Sequence, residues 1–284
     1  MKLRFLLAFL VVLIALPGIG LYAQADPTTP LMPIYERPPV YIGPVIGYNR
    51  AMHTVDLASF DDAICPRFTD GQANGFFVGM SFEQHLGKDI KSSTSSFIFR
   101  LLYNTMPASL EVSENPIPSL ITIVNAQGEP VGEDIVNSST LHTQDITYSL
   151  ITAEVMYKIN PIPGLPLGFT VGPTFDYALT RNQDQRYNLV LPLEAQFRVN
   201  QAEADARGYR YINNDRTIVV KEGEIPDSQG FRLGIKAGMQ IELLAGKWTV
   251  VPGIFYNFGV TNLSSVEDWR VNVLQMGVDL RYAL

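Results

Sequence analysis

A two-residue alternation of apolar side chains with small or polar ones recurs along the chain and limits the possible folds more than any other feature. It is clearest in residues 167–180 and 231–243, and it returns in the final stretch VNVLQMGVDLRYAL, residues 271–284. Successive side chains of a β-strand point to opposite faces, so each stretch has one apolar face and one small or charged face. The alternation predicts an all-β protein whose strands separate two different environments.

Eight stretches share this period-two character and are predicted to be strands. They are residues 40–49, 75–86, 94–105, 146–159, 166–180, 230–244, 247–260 and 269–284. Composition agrees, because charged residues are only 17% of the chain while 22 Gly, 19 Pro and 13 Tyr favour strands and turns over helices. The eight strands predict one closed antiparallel up-and-down barrel.

The connections between these strands alternate between short turns and long polar segments. The long segments are residues 50–74, 106–145 and 181–229, with a shorter one at 261–268. Alternate connections of a meander emerge at the same end, so one end carries the loop mass, as in transmembrane barrels with short periplasmic turns and long extracellular loops. The runs LITIVNA and RTIVVKEG, inside two of the long segments, are predicted to extend the wall as hairpins.

The start of the chain has the pattern of a secretory signal peptide over residues 1–25. Met1 to Arg4 is basic, Phe5 to Leu16 is apolar and Ala23-Gln24-Ala25 fits a cleavage site. An uncleaved anchor is the alternative. Residues 26–39 are rich in proline and are expected to be a periplasmic lead-in, which leaves residues 40–284 as the barrel domain.

Alternation alone does not say which face of the barrel meets water. The non-apolar faces contain strand glycines, which a narrow interior filled by its own side chains requires, and this places Gly168, Gly172, Gly234 and Gly238 inside. Aromatic residues fall near both strand ends, as in the two girdles of a membrane barrel. They are Tyr103, Tyr177, Phe231, Phe258 and Trp269 at the long-loop end, and Tyr157, Trp248 and Tyr282 at the other. A soluble lipocalin-like barrel around an apolar ligand is the alternative.

The final strand resembles the assembly signal of outer-membrane β-barrels, with Gln275, Gly277, Leu280 and Tyr282 at the fixed spacing. It departs from the common form by ending in Leu284 instead of phenylalanine. The mature chain is also similar to the small porin-family or PorT-like barrels and, in strand number, to the OmpA and OmpX barrels. This resemblance implies outer-membrane lipid and the barrel-assembly machinery of a Gram-negative envelope as partners.

Residues suited to catalysis or metal binding are few. His53 and His142 each begin an H-T-x-D pattern, but positions one and four of an extended segment point to opposite faces. The acidic pairs Asp61-Asp62 and Glu133-Asp134 lack the spacing of a calcium loop. We therefore predict no catalytic, cofactor or metal residues, with a lipid-modifying barrel enzyme as the alternative.

Nucleic acid is not an expected partner. The formal charge is −7 and no Lys and Arg cluster exists to contact phosphates. The lone Cys65 has no partner for an internal disulfide, so the strands themselves must supply stability.

Charged residues on the inward faces are expected to pair, since a buried charge without a partner costs several kcal/mol. Counting along the strands predicts one pair between Arg100 and Glu154 and another between Asp176 and Lys236. The expected function is an outer-membrane barrel with a structural or surface-interaction role and no general pore, because eight strands leave no aqueous channel. The sequence names no surface ligand.

Overall fold

The computed structural model describes residues 40–59, 66–86, 94–125, 127, 129–162 and 165–284. The predicted signal peptide and lead-in lie outside these residues, as do Cys65 and the pair Asp61-Asp62. Within these ranges the chain forms thirteen strands and one short helix. Their order is β1 (Val40–Ala58), β2 (Arg67–His85), β3 (Ser95–Thr105), β4 (Ala108–Val124), β5 (Pro130–Ile159), β6 (Leu167–Leu191), β7 (Ala195–Gln196), α1 (Gln201–Arg207), β8 (Arg210–Ile212), β9 (Thr217–Glu224), β10 (Phe231–Ile241), β11 (Leu243–Ala245), β12 (Trp248–Gly259) and β13 (Arg270–Ala283).

Eight of these strands form a closed antiparallel ring. The pairings run β1–β2–β3–β5–β6–β10–β12–β13 and return to β1. The last strand closes the sheet against the first, with Tyr41 opposite Ala283 and Asn49 opposite Gln275. The predicted closed up-and-down barrel is confirmed, and closure leaves no open strand edge in the ring.

The sheet as a whole has more strands than the predicted eight, because the long polar segments also form strands. β4 continues β3 after a break at Met106 and Pro107, and both pair with β5. β10 pairs with β6 as far as Tyr177, and β9 pairs with β6 from Asn182 onward. The runs LITIVNA and RTIVVKEG therefore extend the wall, as predicted.

The outer wall of the ring carries a band of exposed apolar side chains, including Ile46, Leu101 and Ile235 at 51–63% exposure. Aromatic residues border it on both sides. Outward-facing aromatics at the long-loop side are Tyr48, Phe76, Tyr103, Tyr177, Phe231 and Phe258, and at the other side Phe97, Tyr157 and Trp248. The prediction that Trp269 belongs to the aromatic girdle is wrong, because its side chain is buried inside the barrel.

The strands of the longest hairpin extend far beyond this band. β5 has 30 residues, which at about 3.3 Å per residue makes it on the order of 100 Å long, against an apolar band of about 25 Å in membrane barrels. A sheet built from β4, β5, β6, β9 and β8 therefore projects from the long-loop end. Helix α1 packs Ala204 against this sheet beside Tyr187 and Ile218.

Inward-facing glycines let neighbouring strands approach closely. A Cβ atom added to Gly172 would lie 1.9 Å from the carbonyl oxygen of Val155, and one added to Gly238 would lie 2.4 Å from that of Ile254. Gly168 and Gly234 are buried in the lumen beside Lys158 and Asn257. Gly172, Gly234 and Gly238 thus occupy crowded positions where an added Cβ would come within 3.0 Å of other atoms, whereas at Gly168 its nearest contact would be the flexible Lys158 side chain, at 3.1 Å.

We expect Gly172→Ala to prevent formation of the folded barrel, because the added methyl group overlaps the backbone of β5. Gly132→Ala is the matched control, since a Cβ there meets no atom within 4 Å. The measurement is the heat-modifiable gel shift after refolding into detergent. Normal refolding of the Gly172 variant would contradict the close approach.

Candidate functional site: the filled lumen and its plug

The interior of the ring contains five cationic and five anionic side chains. All are nearly inaccessible except Glu242, whose side chain is 18% exposed. The cations are Arg100, Lys158, Arg232, Lys236 and Arg281, and the carboxylates are Glu83, Glu154, Asp176, Glu242 and Asp279. Because cations and carboxylates are equal in number, every charge can be neutralised inside the barrel. Burial of ten charged groups away from water requires such neutralisation.

Most of these groups form one connected network at the short-turn half of the lumen. Glu83 contacts both Lys158 and Arg281. Arg281 lies 2.6 Å from Asp279, which also accepts a hydrogen bond of 3.0 Å from Arg100. These contacts cross the lumen, joining β2, β3, β5 and β13, so the network ties opposite walls together.

Glu154 of β5 connects this network with Lys236 of β10. It lies directly opposite Arg100 in the β3–β5 register, with 3.5 Å between Arg100 Nη1 and Glu154 Oε2. The other carboxylate oxygen accepts a hydrogen bond from Lys236. The Phe255 ring fills the space beside the two cations, with 4.8 Å from Arg100 and 5.0 Å from Lys236 to its centroid. The structure thus brings the predicted partners Arg100 and Glu154 together.

The predicted pairing of Asp176 with Lys236 is wrong, although both side chains are buried in the lumen. Asp176 lies opposite Arg232 and 2.9 Å from its guanidinium, whereas Lys236 lies opposite Gly172 and reaches Glu154. The count along the strands predicted the wrong partner because the β6–β10 register places Lys236 opposite Gly172, four residues before Asp176 on β6. Arg232 could have been found, since it shares the inward face with Lys236.

A belt of amides and hydroxyls lies between the ionic network and the long-loop end. Gln275 donates to Asn49 at 2.8 Å, Asn49 donates to Asn104, and Asn104 donates to Thr152 at 3.3 Å. The Thr152 hydroxyl donates to Asp176 at 2.7 Å. The ionic network and this belt fill most of the lumen with polar side chains, beside a small buried cluster of Val45, Phe77 and Leu102. This packed interior differs from the apolar cavity that a lipocalin-like barrel would require.

Beyond the apolar band the interior becomes apolar. A buried cluster closes the barrel there, and its members are Ala51, Val55, Phe68, Met106, Ala108, Leu110, Ile146, Tyr148, Leu150, Ala178, Ile225, Leu263, Trp269, Val271 and Val273. We call this cluster the plug. The outward face at the same height is polar, with Thr54 and Asp56 exposed on β1. The polarity of the two faces of the wall therefore reverses where the strands extend beyond the apolar band.

His53 fixes Trp269 within the plug. The Trp269 indole donates to His53 Nδ1 at 3.0 Å, and His53 Nε2 lies 3.0 Å from the carbonyl oxygen of Met106. His53 lies beyond Tyr48, the last outward aromatic of β1, and burial lowers its pKa to about 4. The ring is therefore neutral near pH 7, with Nε2–H donating to Met106.

The H-T-x-D patterns do not assemble a hydrolytic site. His53 and His142 are buried, whereas Asp56 and Asp145 are exposed on the other face of the same strands. His142 stacks on Tyr187 with 4.0 Å between ring centroids. Glu133 and Asp134 are exposed on the projecting hairpin. Among the described residues, no group of three His, Cys, Asp or Glu side chains could hold a metal ion.

The residues of the predicted assembly signal occupy both faces of β13. The Gln275 side chain is fully buried in the lumen, and a Cβ on Gly277 would meet the Phe77 ring. Leu280 is exposed on the outer wall, and Tyr282 packs against Trp248 with 4.9 Å between ring centroids. The apolar stripe of the final strand thus faces outward and its small and charged stripe faces the lumen.

No helix within the described ranges is both long and apolar enough to cross a membrane. No family model and no curated protein sequence matches the chain.

Solved structures with a similar chain path include three bacterial proteins. The Neisserial surface protein A has 13% identity and a TM-score of 0.32, covering 86% of this chain and 97% of its own. The outer membrane protein OprG of Pseudomonas aeruginosa has 10% identity and a TM-score of 0.33, covering 88% and 97%. The outer membrane protease OmpT of Escherichia coli has 9% identity and a TM-score of 0.29, covering 86% and 96%. At this level of likeness the fold assignment rests on the closed ring and apolar band of the chain itself.

Proposed function

We propose that this chain is an outer-membrane β-barrel with a structural or surface-interaction role, which holds a folded sheet away from the membrane and forms no general pore. The observation that supports the proposal is the reversal of polarity between the inner and outer faces of the wall along the strands. Within the band the outside is apolar and the inside is charged and neutralised, and beyond it the outside is polar and the inside is the apolar plug. A barrel in water throughout has no use for the apolar outer band, whereas a bilayer requires it.

Fractionation of cells that express the full chain tests the membrane placement. We expect the protein in the outer-membrane fraction, with heat-modifiable migration on a gel. Release with the soluble periplasmic contents, without detergent, would overturn the proposal in favour of a soluble barrel.

The purified barrel is expected to be electrically silent in a planar bilayer. The charged side chains fill the lumen within the band, and the plug closes its long-loop end. Eight-stranded barrels have an interior only wide enough for their own side chains. Large, stable conductance steps at neutral pH would contradict the closed lumen.

We also propose that the Gln275, Gly277, Leu280 and Tyr282 pattern is read during assembly. Tyr282→Ala should lower the amount of assembled barrel in cells but leave refolding into detergent unchanged. Tyr157→Ala is the matched control, because Tyr157 is also an outward aromatic at the short-turn end, 5.6 Å from Phe97. Equal assembly of the two variants in cells would remove the special role of Tyr282.

A further inference from the structure

The far end of the projecting sheet exposes a group of large apolar side chains, which we call the apolar tip. Its members are Val131, Ile135, Leu191 and Leu193, with exposures between 58% and 70%. Strand pairing brings Ile135 near the two leucines. Ile135 lies opposite Leu120 of β4, which pairs with Gln196 of β7, three residues after Leu193, and Ser139 of β5 lies opposite Leu191.

The turn that carries the two leucines is held in place by one arginine. The Arg216 guanidinium donates to the carbonyl oxygens of residues 189, 190, 192, 193 and 195, at 3.0 Å for Leu189 and 2.8 Å for Ala195. The backbone of Phe197 also donates to the carbonyl of Asp215 at 2.8 Å. The apolar side chains are thus presented to solvent by an ordered turn, and preorganised surfaces lose less entropy on binding.

The apolar tip is too far from the apolar band to contact the lipid in which the barrel sits. Ile135 precedes Ile151, an outward residue of the band on the same strand, by 16 residues. At about 3.3 Å per residue this is roughly 50 Å along β5. An exposed apolar patch at this distance from lipid is typical of a surface that binds another molecule.

The charges around the apolar tip indicate what that molecule carries. Residues 120–135 and 190–199 contain four carboxylates, Glu129, Glu133, Asp134 and Glu194, and one cation, Arg198. Arg216, whose guanidinium is bound to the turn, adds a second cation, so the carboxylates remain in excess. Within the described part of the chain, none of the four carboxylates forms an ion pair. A second copy docked tip to tip would oppose carboxylates with carboxylates, and an anionic lipid surface would also be repelled.

We propose that the apolar tip binds a polypeptide segment with an apolar face flanked by Lys or Arg. The two leucines, Ile135 and Val131 would cover the apolar face, and the four carboxylates would attract the flanking cations and orient the segment. This inference rests on the proposed surface-interaction role and names the chemistry of the partner.

The test uses the full chain refolded into nanodiscs of zwitterionic lipid, with tethered synthetic Leu/Lys and Leu/Glu peptides of equal length as probes and empty nanodiscs as background. We expect the Leu/Lys peptide to bind and the Leu/Glu peptide to bind at least tenfold more weakly. The double variant Ile135→Ser with Leu193→Ser should weaken binding of the Leu/Lys peptide at least tenfold. Leu244→Ser is the matched control, because Leu244 is 55% exposed at the short-turn end, and it should bind as the unmodified chain does.

Both substituted side chains of the tip are exposed, so retained heat-modifiable migration shows that the double variant is folded. Glu133→Gln with Asp134→Asn should separately reduce the affinity and its dependence on salt. Equal binding of the two peptides, or unchanged binding by the tip variant, would overturn the inference, as would self-association that the tip variant abolishes. A protein that is retained in the outer membrane but fails these tests would refute the apolar tip alone and leave the proposed function standing.

Discussion

Replacing Glu154 with alanine should lower the free energy of unfolding by about 3 to 5 kcal/mol, the usual cost of removing one partner from a buried ion pair. Glu154 contacts both Arg100 and Lys236, and all three side chains are at most 1% exposed. The variant leaves five lumen cations facing four carboxylates. Urea unfolding of the refolded barrel in lipid vesicles measures the change.

The matched control is Glu222→Ala, which breaks an exposed pair with Arg210 at 2.6 Å. Both partners are more than half exposed, so this change should cost about 1 kcal/mol or less. A double-mutant cycle on Arg100 and Glu154 then isolates their coupling. Negligible coupling, or equal effects of the two glutamate variants, would place the charged face in water and reverse the assignment of inside and outside.

Replacing Leu101 with arginine should destabilise the barrel in lipid by about 2 to 4 kcal/mol, the depth-dependent cost of a cation on the lipid face near the bilayer midplane. Leu101 is 59% exposed on the outer wall of β3, between the outward aromatics Phe97 and Tyr103. In a barrel surrounded by water the same change would be nearly neutral or would improve solubility. The sign of the effect therefore distinguishes the two environments.

Val131→Arg is the control for this experiment, because Val131 is 62% exposed on the projecting hairpin. A position with the same exposure but outside the band should tolerate arginine, within about 0.5 kcal/mol. Equal effects at the two positions would show that the apolar band is not in lipid.

Which side chains of a strand share a face could be predicted from sequence, because this is a local property of the strand. One side of each strand must be apolar where it meets lipid, and the small residues opposite must fit a narrow lumen, so Gly172 and Arg100 were placed inside correctly. The same reasoning underestimated the lengths of β1 and β2. β1 continues to Ala58, and β2 begins at Arg67. There the period of two continues, but the apolar side chains Ala51 and Val55 point inward, and the stretch no longer resembles a lipid-facing strand.

Contacts across the lumen could not be predicted in this way. Arg100 and Asp279 are 179 residues apart and lie on strands that are not neighbours in the ring, yet they are hydrogen-bonded. Such contacts depend on strand tilt and on the register at every intervening pair. Trp269 was misplaced for a related reason, since an aromatic at a strand end fits both a girdle and a buried plug, and only the surrounding side chains decide between them.

The sequence by itself thus determined the eight strands of the ring and which side chains of each strand share a face, because period-two alternation encodes both directly. Strand glycines then indicated which of the two faces lines the narrow lumen. Only the tertiary structure decided that Asp176 pairs with Arg232, that Glu154 connects Arg100 with Lys236, and that an apolar plug closes the long-loop end. These features depend on side chains from distant strands meeting inside a closed ring, where charge neutrality and packing must be satisfied by the barrel as a whole.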